Sequence, residues 1–150
     1  DRPREDHRPG TVVVRGVLID TNIYSLALKG DEGVTGNLRR FELIAISVVS
    51  IGELLSGFKG GSQETKNREE LYTFLDSPRV MTRPVDEETA DIYASVLNKL
   101  RRQGTPIPTN DIWIAACAMQ HGLKVYTRDR HFQIIPGLRL LETELGTSGL

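Results

Sequence analysis

The strongest constraint on the fold is an alternation. Short β-branched apolar runs are each followed by a segment with helical apolar spacing, and no two-residue turn joins two strands. Strands that lack tight hairpins must be joined by crossovers, so the pattern predicts an α/β fold, a parallel sheet with helices on both faces. Residues 12–19 form the first run, broken only by Arg15 and Gly16. A run apolar on both faces suits the centre of such a sheet. Further strands are expected at 43–47, 79–82 and 124–127, with a short fifth at 138–141. Helices are expected at 23–29, 34–41, 48–58, 62–75, 86–103 and 111–121, with Ser62 capping the fourth and Gly122 closing the last. The segment 86–103 is the clearest, because Ala90, Tyr93, Ala94, Leu97 and Leu100 share one helical face.

A chain of 150 residues is one ordinary domain, and 39% hydrophobic residues suffice for its core. Residues 1–13, polar and charge-mixed, read as a flexible tail; 14–145 read as the single domain. The 19 basic and 20 acidic side chains nearly cancel, so any nucleic-acid binding must come from a local patch. A single Cys excludes a disulfide scaffold and points to a reducing, cytoplasmic setting. No apolar run is long enough to span a bilayer, and no leader pattern opens the chain.

Most acidic residues lie on polar helix faces beside basic ones. Four do not. Asp20 ends the apolar strand VLID, Glu53 interrupts VVSIGELL, Asp111 opens DIWIAACAM, and Asp129 follows the strand KVYT by one residue. Three of them stand where a strand or loop meets a helix N-terminus. In an open parallel sheet such positions converge on the crevice beyond the strands' carboxyl ends. Each has an ordinary explanation. Asp20 and Asp111 could cap helices, Asp129 could serve a turn, and Glu53 could pair with a buried Arg. Together they are harder to dismiss. Four carboxylates within ~4–5 Å of one another would repel by roughly 3–4 kcal/mol per pair, or ~20 kcal/mol in all. That exceeds the ~5–15 kcal/mol stability of a whole domain. Such a cluster must take up protons, admit water or bind a cation, and hard oxygen donors select Mg²⁺ or Mn²⁺.

The stretches VLIDTNIY, SVVSIGELLSG, TNDIWIAACAMQHGL and KVYTRDRHFQIIPGLRLL resemble, in order, the four acidic motifs of the PIN domain. More closely they are similar to the VapC toxins of type II toxin–antitoxin operons. The resemblance runs from about Val17 to Leu141; the extension before Val14 departs from it. It implies a PIN-like five-stranded parallel sheet and a metal-dependent endoribonuclease using Mg²⁺ or Mn²⁺. Asp20, Glu53, Asp111 and Asp129 match the family's catalytic quartet, with Asp20, Asp111 and Asp129 as the expected metal ligands. Asn22, Ser50, Asn110 and Thr127 match polar positions that support the carboxylates or the scissile phosphate. A homodimer and an inhibitory antitoxin bound beside the active site are also implied.

An acidic cleft repels RNA, so basic groups must stand at its rim. Candidates are Arg39, Arg40, Lys59, Arg101, Arg102, Arg128 and Arg130, with Arg128 and Arg130 singled out because they flank Asp129. Tyr24 and Trp113 are candidates for base stacking or for ordinary packing. Leu26, Leu54, Leu55 and Phe58, on the two helices that start at the expected site, could line a groove for an amphipathic antitoxin segment. Zinc at Cys117, His121 and His131 would need further ligands. A phosphatase or phosphotransferase generally needs a second Asp two residues after the first, where Asn22 stands; a silent binding module need not keep all four carboxylates.

Overall fold

A computed structural model describes residues 15–143. The tail 1–13 and the first residues of the expected opening strand lie outside the described residues. The chain runs β1 (Gly16–Ile19), α1 (Thr21–Leu28), α2 (Glu32–Leu38), β2 (Leu43–Ser47), α3 (Val48–Lys59) and α4 (Glu64–Leu75). It continues through β3 (Val80–Arg83), α5 (Glu87–Gln103), α6 (Thr109–Gln120) and β4 (Lys124–Tyr126), then a 3-10 helix at Arg130–Ile134. The four strands form one parallel sheet in the order β3-β2-β1-β4.

The pleat sorts the strand residues into two cores. Val17, Ile19, Ile44, Ile46 and Tyr126 face one side, where they pack with Ile23 and Tyr24 of α1, Val34 and Leu38 of α2, Leu54 of α3 and Leu71 of α4. Leu18, Ala45 and Val125 face the other, against Val96 and Leu100 of α5, Ile112 to Ala118 of α6 and Phe132 of the 3-10 helix. Period-two alternation with both faces apolar is what burial on two sides demands. Cys117 sits wholly inside this second core.

The expected fifth strand is reduced to a single bridge, Val125 with Leu140. Val125 exchanges one pair of hydrogen bonds with Arg139 and Leu141, but no neighbouring pair follows. The partner strand is only three residues long, and on its far side Thr127 turns away to bond the Asp129 backbone. Four helix starts differ from expectation by two residues: α1 and α2 begin earlier, at Thr21 and Glu32, and in α4 and α6 the shift changes the role of a named residue. Helix α4 begins at Glu64 behind Gln63, with no side-chain cap, so Ser62 does not cap it. Helix α6 begins at Thr109, which places Asp111 inside its first turn rather than at the cap. Helix α5 carries a capping box between Asp86 and Thr89, and Gly104 closes it at φ 72°, a left-handed conformation that favours glycine.

Helix α2 ends without a basic residue in its last turn. Its terminal carbonyls are served instead by Arg79, whose guanidinium donates to the oxygens of Leu38 and Phe41 at 2.8 and 2.7 Å. Charge-assisted bonds of this kind contribute more than neutral ones, so Arg79→Ala is expected to lower stability by about 2 kcal/mol. Urea unfolding should show a lower midpoint with an unchanged slope.

Candidate active site

The carboxyl ends of β1 and β4 lie side by side, and the N-terminal turns of α1 and α6 open toward them. Asp20, directly after β1, is 3% exposed. Its side chain caps α1 by accepting from the Ile23 amide at 2.9 Å, and its other oxygen accepts from the Thr127 hydroxyl. Thr127 in turn accepts from the Asp129 amide at 2.9 Å. One hydroxyl thus ties the Asp20 carboxylate to the backbone that presents Asp129.

Glu53, half-buried on α3, is fixed at both oxygens. One accepts from the Thr21 hydroxyl and the other from the Asn110 side-chain amide at 2.9 Å. Among the described residues it has no Arg partner, which speaks against the buried-pair explanation. An open cleft of about 420 Å³, lined by Val49, Gly52, Glu53, Ser56 and Asn110, lies against it.

Asp111 and Asp129 meet across His131. The imidazole Nδ1 lies 3.3 Å from Asp111 Oδ2 and 3.1 Å from Asp129 Oδ1. One ligand atom from each of the three residues falls within 4.8 Å of the others.

The electrostatics agree with this convergence. Burial pushes the Asp20 carboxyl above the usual range; bonds from Thr127 and Ile23 oppose it, and the charges of Asp129 and Glu53 add to it. Asp111 is pushed up to about 6, chiefly by burial and then by Asp129, with His131 pulling the other way and Glu53 adding a further push. The charges of Glu53 and Asp129 thus act on both Asp20 and Asp111, although the four come from separate stretches of chain.

The supporting positions divide. Thr127 and Asn110 hold carboxylates directly. Ser50 is fully buried on α3, one turn before Glu53, and its hydroxyl has no hydrogen-bond partner among the described residues. Asn22 is exposed in the first turn of α1. Arg128 does not point freely at the cleft; its guanidinium forks onto Asp31, the cap of α2, at 3.3 and 3.4 Å. Lys59 pairs with Glu64 and Arg40 bonds Asn37, while Arg39, Arg101, Arg102 and Arg130 are exposed.

Neither candidate stacking ring is free. Tyr24 is a core residue in edge contact with Phe74, and burial pushes its hydroxyl up to about 12. Trp113 stacks on Tyr93 with centroids 3.8 Å apart and planes 11° from parallel. The zinc set does not assemble: Cys117 is buried, its thiol pushed up to about 11, while His131 sits with the carboxylates instead. His131 and Thr21 were not among the expected site residues. The sequence offers His131 only as a zinc ligand beside Cys117 and His121, not as a member of the carboxylate set.

The donor chemistry suits a hard divalent ion. Two carboxylates and an imidazole present ligand atoms within 4.8 Å of one another, two further carboxylates stand beside them, and among the described residues no Lys or Arg pairs with any of the four.

Comparison with known proteins agrees with the motifs. The PIN domain pattern matches residues 17–138. The chain is 28% identical to ribonuclease VapC4 of Mycobacterium tuberculosis, over 85% of this chain and 97% of the relative. It is 31% identical to ribonuclease VapC1 of Rickettsia felis, over 84% and 95%. Its backbone superposes on a chain of DNA-bound VapBC from Salmonella typhimurium with TM-score 0.78 at 26% identity, covering 86% of this chain and 98% of that one. With its acidic motifs in order on a parallel sheet and the family pattern spanning nearly all the described residues, this chain belongs to the PIN domain family.

Proposed function

We propose that this chain is a metal-dependent endoribonuclease and the toxin of a VapBC-type toxin–antitoxin pair. The observation that supports it most is the convergence of Asp20, Glu53, Asp111 and Asp129, with no neutralising Lys or Arg paired to them among the described residues. Relatives of similar length named as ribonucleases support the same reading.

In this reading Asp111 and Asp129 hold a divalent Mg²⁺ or Mn²⁺, with Asp20 adding negative charge from the buried side. The bound ion would lower the pKa of the attacking water and neutralise charge on the phosphate. Glu53 is clamped by Thr21 and Asn110, so it keeps a fixed direction and can accept a hydrogen bond from that water. Thr127 holds the Asp20 and Asp129 segments in register. Asp31 orients the Arg128 fork at the rim, where a planar guanidinium suits a phosphate. The water oxygen bonds to phosphorus as the bond to the 3′ oxygen breaks. That oxygen takes a proton, leaving a 5′-phosphate and a 3′-hydroxyl.

A single-stranded or looped RNA is the expected substrate, because its unstacked bases can be reached by protein side chains. The antitoxin site is the apolar surface shared by α1, α3 and α4, where Leu26, Leu55, Phe58 and Phe74 are only partly covered and Leu28 is 46% exposed. Leu54, by contrast, is buried in the core. We place the protein in the cytoplasm as a homodimer; no helix of the described residues is long and apolar enough to cross a membrane.

Cleavage of total RNA followed by end analysis tests the reading. Monophosphate 5′ ends that vanish with EDTA are expected. Cyclic phosphate ends, or cleavage that persists without metal, would defeat it.

A further inference from the structure

We propose that His131 is itself a ligand of the divalent ion, so that the site is a mixed nitrogen and oxygen set rather than an all-carboxylate one. The inference rests on the metal-dependent reading above and refines it. Three observations carry it.

The first is distance. In an octahedral site with ligands at ~2.1 Å, neighbouring donor atoms lie roughly 3 Å apart. Nδ1 of His131 stands 3.1 Å from Asp129 Oδ1 and 3.3 Å from Asp111 Oδ2. These are the spacings of adjacent ligands on one ion.

The second is how the ring is held. Asp129 caps the 3-10 helix by accepting from the His131 amide at 2.9 Å. The next residue, Phe132, is 1% exposed and locked in the core packed against α6. The backbone on both sides of His131 is therefore anchored, one side to a carboxylate of the site and the other to the protein interior. The ring is delivered to the carboxylates by the fold.

The third is access. The His131 side chain is 49% exposed, against 16% for Asp111 and 29% for Asp129. It forms the open side of the set, where a hydrated ion arrives and a phosphate must reach. A neutral imidazole protonated at Nε2 turns the Nδ1 lone pair toward the two carboxylates and can donate it to a cation.

A chemical consequence follows. Mg²⁺ prefers oxygen donors, whereas an imidazole nitrogen favours first-row transition ions. This site should therefore select Mn²⁺ over Mg²⁺ more strongly than four carboxylates alone would.

The test uses the whole metal-free protein, MnCl₂ and MgCl₂ as probes, and no RNA. Electron spin echo measurements on the Mn²⁺-loaded chain should show nitrogen modulation that disappears in His131→Gln. Calorimetric titration should show Mn²⁺ binding at least roughly tenfold weaker in that variant, the loss typical of even an outer-shell partner. Mg²⁺ binding should change far less. Asp111→Asn, which should weaken both ions alike, confirms that the measured ion occupies this site. His131→Ala, checked by its thermal melt, guards against an effect peculiar to Gln.

Mn²⁺ binding without nitrogen modulation would overturn the assignment and leave the nuclease reading standing. So would a His131→Gln protein that binds Mn²⁺ like the wild type. Absence of any divalent binding in the wild type would overturn both.

Discussion

Asp111→Asn is expected to abolish RNA cleavage and, in the metal-free protein, to raise stability. The first effect follows from losing one carboxylate that holds the ion. Charge stabilisation at a phosphoryl centre amounts to several kcal/mol, so the rate should fall on the order of 10³-fold. The second follows from the folded-state cost of that charge. Asp111 titrates at about 6 against an ordinary 3.8, and it is only 16% exposed. Two units correspond to roughly 3 kcal/mol at neutral pH. That net shift already includes the opposing pull of His131, so a gain of about 2–3 kcal/mol and a rise of roughly 5–10 °C in melting temperature are expected. A merely structural acid would show the opposite. Asp86 is such a case: the Thr89 backbone and side chain and the Gln120 amide hold its carboxyl below the usual range. Asp86→Asn should lower the melting temperature while cleavage persists. If Asp111→Asn melts lower than the wild type without metal, the assignment of a mutually repelling cluster is wrong.

A second large effect is expected from pH. Asp111 and Asp20 both have raised folded-state pKa values. Their protonated forms favour the native state, so their contribution is complete below 3.8 and is lost as pH rises through their folded-state values, about 6 for Asp111. The metal-free protein should therefore become more stable on acidification from pH 7.5 to 5, with about 1.4 kcal/mol from Asp111 and a further gain of the same sign from Asp20. Below 3.8 the trend should reverse. Asp31 and Asp86, both with lowered values, contribute stability that is lost as pH falls through their folded-state range. Metal should invert the upper window. At a hundredfold excess over its dissociation constant the ion adds about 2.7 kcal/mol. Protons compete with it for the same oxygens, so the loaded protein should be most stable near neutrality. Melting curves at pH 7.5, 6.5, 5.5 and 4.5, with EDTA or with MnCl₂, measure both slopes. Identical slopes would mean that the ion is not held by these groups.

Asp20, Glu53 and Asp111 were legible because each ends, interrupts or opens an apolar stretch, where a charge needs a reason, and Asp129 because it follows an apolar strand by one residue. Asn110 and Thr127 were legible through the motif positions they occupy, and both bond carboxylates. His131 was not. The sequence offered it only as a possible partner of Cys117 and His121 in a zinc set, because in the polar stretch TRDRH nothing marks a His as the neighbour of two carboxylates. Its approach to Asp111 depends on α6 and β4 packing side by side. Arg128 was legible only in part: flanking Asp129 marked it as a rim cation, but that Asp31, far away in sequence, holds its fork could not be read along the chain. Tyr24 and Trp113 were ambiguous because ring chemistry suits both stacking on a base and packing in a core. Only Phe74 and Tyr93, brought by α4 and α5, decide it.

Local physics determined the order of strands and helices, the parallel sheet and the capping of α1 by Asp20. Apolar period, β-branching and cap chemistry act within a few residues and can be read along the chain. The loss of the fifth strand to one bridge, the clamp on Glu53 and the meeting of Asp111, Asp129 and His131 were decided only by tertiary structure. Each depends on groups from distant segments being held a few ångströms apart, and hydrogen bonds and electrostatic repulsion take their strength from that separation in space.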